Sequence, residues 1–129
     1  MFTSIPALRA ELAALLTAAL PTEWEIVPDL MAANVGLAPA VYIEFKELGT
    51  TSARGEELGR GTVAASVDLV LADPRTADGE AESAVEEHVV PLLQALDTHS
   101  DLGWSKAVKI RLDSGPLAWR VSLTTLVTL

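Results

Sequence analysis

Three side chains of the types that bind metals lie close together in the sequence, at Asp97, His99 and Asp101. Carboxylate and imidazole groups can hold a divalent cation, but a closed site needs a fourth ligand, and the nearby sequence offers none. The other interpretation is the polar end of a helix. We favour the polar helix end and expect no bound metal.

His88 is a second candidate for chemistry, because it falls on the apolar stripe of a predicted helix, where an imidazole can act as a general base. No nucleophile motif accompanies it, so we interpret His88 as a partly buried, hydrogen-bonded core histidine. The glutamates Glu82, Glu86 and Glu87 of the same helix are interpreted as a solvated face rather than as acid–base groups.

Residues 59–64, with the sequence GRGTVA, formally match the dinucleotide-binding pattern G-x-G-x-x-A. That fingerprint follows a strand and opens a helix, whereas this segment closes a loop and opens a strand. The sequence also contains no P-loop, no H-E-x-x-H and no G-x-S-x-G motif. We therefore predict that the protein is not an enzyme, has no catalytic residues and holds no cofactor.

Length and composition exclude several classes of protein. The 129 residues suffice for one domain with a single core, so we treat residues 1–129 as one domain. Eighteen acidic against nine basic residues give a formal charge of −9, which argues against specific nucleic-acid binding and against an anionic membrane surface. There is no cysteine, and the first residues resemble neither a signal peptide nor a membrane span, so we expect synthesis in the cytoplasm.

The pattern of apolar residues predicts the element order α-β-β-β-α-β-β. This order favours an α+β two-layer domain, with a mostly antiparallel sheet and two helices packed on one face. The predicted helices cover residues 5–20 and 76–97, and the predicted strands cover residues 22–28, 40–48, 62–72, 105–113 and 117–129.

Charge is distributed unevenly between the second helix, which is acidic, and the last hairpin, which is basic. If Val108 faces the helices together with its apolar neighbours Ile110 and Leu112, Lys109 and Arg111 point the other way. They would then be beyond reach of their own helix but available to a neighbouring subunit. We predict a subunit interface formed by Lys109, Arg111, Glu86 and Glu87; the alternative is a solvated surface.

Apolar residues on the second face of the sheet also favour a neighbour. Val70 and Leu126 fall on this face, and the chain ends with the apolar sequence TLVTL. An exposed apolar strand at the edge of a sheet invites pairing with another chain. We therefore expect the last strand to take part in association.

Residues 49–61 form a much longer connection than a hairpin needs. Because the segment contains few apolar residues, we predict that it is mobile in the isolated protein and becomes ordered against a partner. The alternative is an incidental loop without a role. The predicted partner-binding residues are Arg54, Glu56, Glu57 and Arg60.

The layout of the chain resembles one known family. An N-terminal LRAELAALLTAALP helix is followed at once by EWEIVP, then by a PAVYIEFKEL strand, an acidic EAESAVEEHVVPLLQALD helix and a C-terminal hairpin. This arrangement looks like the tail terminator proteins of long-tailed, siphovirus-type phages, the group similar to the lambda minor tail protein U. The likeness spans most of the chain but includes no invariant motif.

The resemblance implies a structural virion protein without catalytic or ligand residues. Its copies, usually six, form a ring that caps the finished tail tube at the head-proximal end of the tail, stops polymerisation and offers the surface for head joining. The implied partners are further copies of the chain, the tail tube protein and the head–tail connector, with no specific nucleic-acid or membrane binding. The alternative function is a small acidic adaptor or assembly chaperone that acts as a dimer.

Overall fold

The structure is a computed structural model. It describes residues 1–27, 38–74, 78–112 and 117–129, without the side chains of residues 78–82.

Two helices and one five-stranded sheet make up the described fold, which confirms the predicted α+β class and the order α-β-β-β-α-β-β. The strands lie in the order β1-β2-β3-β5-β4, in which β1 is parallel to β2 and all other neighbours are antiparallel. The elements are α1 (Ile5–Ala19), β1 (Glu25–Val27), β2 (Ala40–Gly49), β3 (Thr62–Ala72), α2 (Asp78–Thr98), β4 (Gly103–Arg111) and β5 (Leu117–Thr128).

The start of α1 is fixed by a side-chain cap. The Ser4 side chain accepts a hydrogen bond from the Ala7 amide at 3.1 Å, which satisfies one of the amides that the first turn leaves unpaired. The helix ends at Ala19, two residues before Pro21, which has no amide to continue the helical hydrogen bonds. The positions of both ends therefore follow from local sequence.

Both helices pack on the same face of the sheet, which we call the helix face. Leucines and valines at helical spacing are buried there against inward-pointing strand residues. The main core contains Leu8, Leu12 and Leu16 of α1, Val85, Val89, Leu92 and Leu96 of α2, and Val41, Ile43, Val67, Leu69, Leu71, Val121 and Leu123 of the sheet.

The opposite side of the sheet, which we call the outer face, has a smaller apolar cluster of its own. Val70 is fully buried there and Tyr42 is only 3% exposed, so the placement of Val70 on this face is confirmed. The buried members of the cluster are Ala40, Tyr42, Val70, Ala72 and Ala118, and Val27, Ile110 and Leu112 pack against them.

The facing of β4 differs from the prediction. Lys109 lies opposite Trp119, which packs on the helix-face core, whereas Ile110 joins the outer cluster. Lys109 and Arg111 therefore lie on the helix face, and the prediction that they point away from the helices is wrong. The reason is that both faces carry apolar residues, so the apolar character of Ile110 does not identify the helix face.

The last strand is also placed differently from the expectation. β5 lies between β3 and β4 and pairs with β3 from Ala118 to Thr128, so it is not an open edge. Beyond the end of β4, Phe2 pairs with β5 instead. The Phe2 carbonyl accepts a hydrogen bond from the Thr128 amide at 2.8 Å, and the Phe2 amide donates one to the Leu126 carbonyl at 3.0 Å. The outermost strands of the described sheet are β1 and β4.

Candidate functional site

Residues 49–61 contain a second small hairpin on top of β2 and β3. Thr51 and Glu57 form an antiparallel bridge, and the Ser52 amide donates to the Glu56 carbonyl at 2.8 Å. We call residues 50–58 the loop hairpin. Its backbone is folded through local hydrogen bonds between polar groups, which a count of apolar residues does not reveal. Its mobility in solution stays a prediction.

The tip of the loop hairpin is held by one serine and one glycine. The Ser52 hydroxyl accepts hydrogen bonds from the amides of Arg54, at 3.3 Å, and Glu56, at 3.2 Å. Gly55 has a φ of 82°, in the left-handed region that other residues rarely adopt. Both residues shape a tight turn, which fixes the direction in which the neighbouring side chains project.

All four charged side chains predicted to bind a partner are exposed. The tip lies beside an open groove of about 470 Å³, whose other walls come from the α2–β4 connection at Asp101 and from β5 at Thr124. The structure therefore brings Arg54 and Glu56 to one groove, and their contact with a partner stays a prediction. The four residues are Arg54, Glu56, Glu57 and Arg60.

The basic strand and the acidic helix of one chain lie beside each other. Lys109 Nζ is 3.9 Å from Glu86 Oε1, and the two side chains are 40% and 45% exposed. At this exposure, water and salt screen the attraction. The prediction that Lys109 is beyond reach of its own helix is therefore wrong, because β4 presents this residue on the helix face. Glu87 lies exposed on α2, and an intersubunit role for these residues stays a prediction.

Four charged side chains form a network on the outer face that the sequence did not predict. Asp68 is buried, with Arg120 Nε at 3.4 Å and Lys46 Nζ at 4.0 Å from its Oδ2 atom. Lys46 Nζ also lies 3.7 Å from Glu44 Oε1. Two carboxylates thus face two cations, and the patch is electrically balanced. The sequence feature that could have indicated this network is Asp68, because a buried carboxylate within an apolar strand requires a partner.

Hydrogen bonding within this network is incomplete. Glu44 Oε2 and Arg120 Nε are buried and form no hydrogen bond with the described part of the chain, although Arg120 Nε is near Asp68. The network is therefore held mainly by charge attraction, which depends less on direction than a hydrogen bond does.

The residues considered as metal ligands have separate partners at the end of α2. The Trp104 indole donates to Asp97 Oδ1 at 2.8 Å, which ties the last turn of α2 to β4. His99 Nδ1 accepts from the Asp101 amide at 3.2 Å, and His99 Nε2 lies 3.1 Å from Glu11 Oε1. A neutral imidazole that carries its proton on Nε2 satisfies both contacts. The three side chains therefore act as links between elements.

Asp101 has a further contact with the first residue. The Met1 amino group lies 2.9 Å from Asp101 Oδ1, and this hydrogen bond lowers the pKa of the exposed carboxyl below its ordinary value. No group of three or more acidic, histidine or cysteine side chains in the described ranges is placed to hold a metal ion.

His88 packs edge-on against Trp24, with ring centroids 5.5 Å apart. It is half-buried, as predicted, and its neighbour is an aromatic ring on the short segment before β1. The contact joins α2 to the segment that precedes β1. The geometry assigns a packing role to His88.

A scan against protein-family models finds no match to this chain. A comparison with curated proteins likewise finds none. No helix in the described parts of the chain is long and apolar enough to cross a membrane.

Proposed function

We propose that this protein is a structural subunit of a long-tailed phage, which forms a ring at the end of the tail tube. The ring stops tube polymerisation and offers the surface on which the head is joined. It contains six copies of the chain and contacts the tail tube protein on one side and the head–tail connector on the other. It has no catalytic activity and lies at the head-proximal end of the tail.

The observation that carries this proposal is the loop hairpin. Residues 50–58 have a backbone fold of their own, yet residues 53–57 are all exposed and contribute nothing to the buried core. A folded, charged projection from a small domain has the shape and the chemistry of a contact with another subunit or a partner. The agreement between the element order and the layout of tail terminators supports the same proposal.

The residues with potential for chemistry are consistent with a structural role. Asp97, His99 and Asp101 each engage a different structural partner, and His88 packs on Trp24. None of these contacts places a nucleophile next to a base in the described chain, which is the arrangement that covalent hydrolytic catalysis uses.

Labelled antibodies on virions of a phage that encodes this chain test the proposal directly. In negative-stain images, the label is expected at one position per particle, where the tail meets the head. Label along the tube, at the distal tip or only on unassembled protein would contradict the proposal. A tail tube protein of the same phage, labelled in parallel, serves as the control for access of the antibody.

An acidic adaptor or assembly chaperone acting as a dimer is the second candidate. The observation that favours it is β4, a nine-residue strand with a neighbour on one side only in the described sheet. Two such edges can pair across a two-fold axis, which closes the assembly at two copies. An assembly that stays at two copies at all concentrations, and that is missing from mature virions, would favour this function.

A further inference from the structure

We infer that the basic edge at β4 receives the acidic edge at β1 of the next copy, so that the sheet continues from one subunit to another. This inference rests on the proposed ring and names the two edges that build it. β1 and β4 are the outermost strands of the described sheet, at opposite ends of the strand order. Contact between unlike edges is head-to-tail, which is the kind of contact that closes a ring.

Strand direction permits this pairing. β1 runs parallel to β2, and three antiparallel steps, β2 to β3, β3 to β5 and β5 to β4, separate β2 from β4. β4 therefore runs opposite to β1. When two copies stand side by side in the same orientation, β4 of one copy and β1 of the next are antiparallel, and antiparallel strands pair with well-aligned hydrogen bonds.

The charges on the two edges are complementary. β4 has the sequence GWSKAVKIR, with Lys106, Lys109, Arg111 and no acidic residue. The segment at the other edge, residues 21–27, has the sequence PTEWEIV, with two exposed glutamates, Glu23 and Glu25, and no basic residue. Lys106 lies on the same face of the sheet as Glu25, so this pair carries the attraction between the two edges.

Pairing of β4 with β4 of a second copy is less favourable. Each of two such strands would contribute three basic residues and no acidic one, although Lys109 is already paired with Glu86 of its own chain. Like charges on facing strands destabilise the pairing. The edge that best complements β4 is therefore an acidic one, and β1 of another copy supplies it.

The backbone of β1 limits the pairing to a short ladder. The Glu25 amide donates to the Pro39 carbonyl at 2.9 Å, so the backbone groups of Glu25 and Val27 face β2. Those of Ile26 consequently face outward, because alternate residues of a strand direct their amides and carbonyls to opposite sides. One residue thus forms the backbone link, and the charged side chains around it determine which edge is recognised.

The two faces of the sheet fix the register. Ile26 packs on the helix-face core, as does Ala107 of β4. Placing Ile26 opposite Ala107 continues the apolar surface from one subunit to the next. In this antiparallel register Glu25 lies opposite Val108, which is 44% exposed, and diagonal to Lys106. Lys106 and Glu25 are thus the charge pair expected across the interface.

A charge exchange tests this pair. Native mass spectrometry at physiological ionic strength is applied to Glu25→Lys, to Lys106→Glu and to the double variant. Each single change is expected to raise the concentration needed for assembly about tenfold or more, and the double variant is expected to restore it. Gln94→Lys, at an exposed position of α2 outside the sheet, is the control for added positive charge and is expected to assemble normally.

Engineered disulfides provide the second readout, since the chain has no cysteine of its own. Glu25→Cys combined with Val108→Cys is expected to form disulfide bonds between copies. The crosslinked products are expected to form a series of increasing size that ends at the closed ring. Glu25→Cys combined with Val90→Cys, on the exposed side of α2, is the control and is expected to stay uncrosslinked.

The outcomes separate this inference from the proposed function. Normal rings from both single variants, or weakened rings that the double variant does not restore, would overturn the edge pairing and leave the ring intact. A wild-type protein that stays a monomer or a two-fold dimer would overturn both. Restoration by the double variant together with crosslinks only in the Glu25 and Val108 pair supports the inference.

Discussion

Lys109 Nζ lies 3.9 Å from Glu86 Oε1 of the same chain, so part of the positive charge of β4 is already paired within the subunit. The basic strand and the acidic helix are neighbours within one fold. Their attraction alone does not require a second copy, and any intersubunit role of Lys109 operates in competition with Glu86.

The first prediction concerns the strength of this ion pair. Because both side chains are about half exposed, Lys109→Ala is expected to change the free energy of unfolding by less than about 1 kcal/mol. Denaturant unfolding measures this change, with Glu86→Ala as the matched control from the other side of the pair. A loss of several kcal/mol in either variant would show that the pair is much stronger than its exposure indicates.

The second prediction concerns the proposed interface. Lys109→Glu combined with Arg111→Glu is expected to weaken assembly, because it reverses two charges on the open strand and places a carboxylate beside Glu86. The monomer is expected to stay folded, since both positions are exposed. Circular dichroism checks the fold and native mass spectrometry checks assembly. Normal assembly at physiological salt would remove these residues from the interface.

The third prediction concerns the loop hairpin. Replacing residues 52–56 by Asn-Gly keeps the bridge between Thr51 and Glu57 and supplies a two-residue turn. Folding is expected to be preserved, while joining of heads to tails is expected to fail because Arg54 and Glu56 are lost. In a complementation assay, a wild-type yield of infectious particles would mean that the tip is incidental. Gly55→Ala alone strains the turn but keeps the charges of Arg54 and Glu56, so its effect on head joining is expected to be smaller.

The fourth prediction concerns the network on the outer face. Arg120→Ala is expected to destabilise the fold more than Lys46→Ala, because Arg120 is the cation nearest to the buried Asp68, at 3.4 Å against 4.0 Å. Removing one partner of a buried charge commonly costs about 3 kcal/mol or more, although the part-exposed Arg120 side chain reduces that figure here. Thermal and denaturant unfolding compare the two variants, and equal losses would contradict the ranking.

The sequence predicted the element order and the two-layer arrangement because both depend on local periodicity. The apolar spacing of Leu8, Leu12 and Leu16 identifies a helix whatever it packs on. The order of strands in the sheet depends on pairing between distant segments, so the interior position of β5 and the edge position of β4 were not predictable from local pattern.

The candidate site was predictable only in part, for the same reason. The exposure of Arg54 and Glu56 followed from a polar, glycine-containing loop, but its hairpin depends on backbone hydrogen bonds that composition does not reveal. The partner of Asp68 is Arg120, on the neighbouring strand β5 but far away in the sequence. Such a pair becomes visible only when the strand register is known.

Native mass spectrometry of the purified protein, over a range of concentrations at physiological ionic strength, tests the central claim most directly. We predict a closed assembly of six copies, with a central opening in negative-stain images of the same sample. Its mass is expected to stay fixed as concentration rises, because a closed ring has no remaining edge to extend. A protein that remains a monomer, stops at two copies or grows without limit would contradict the account.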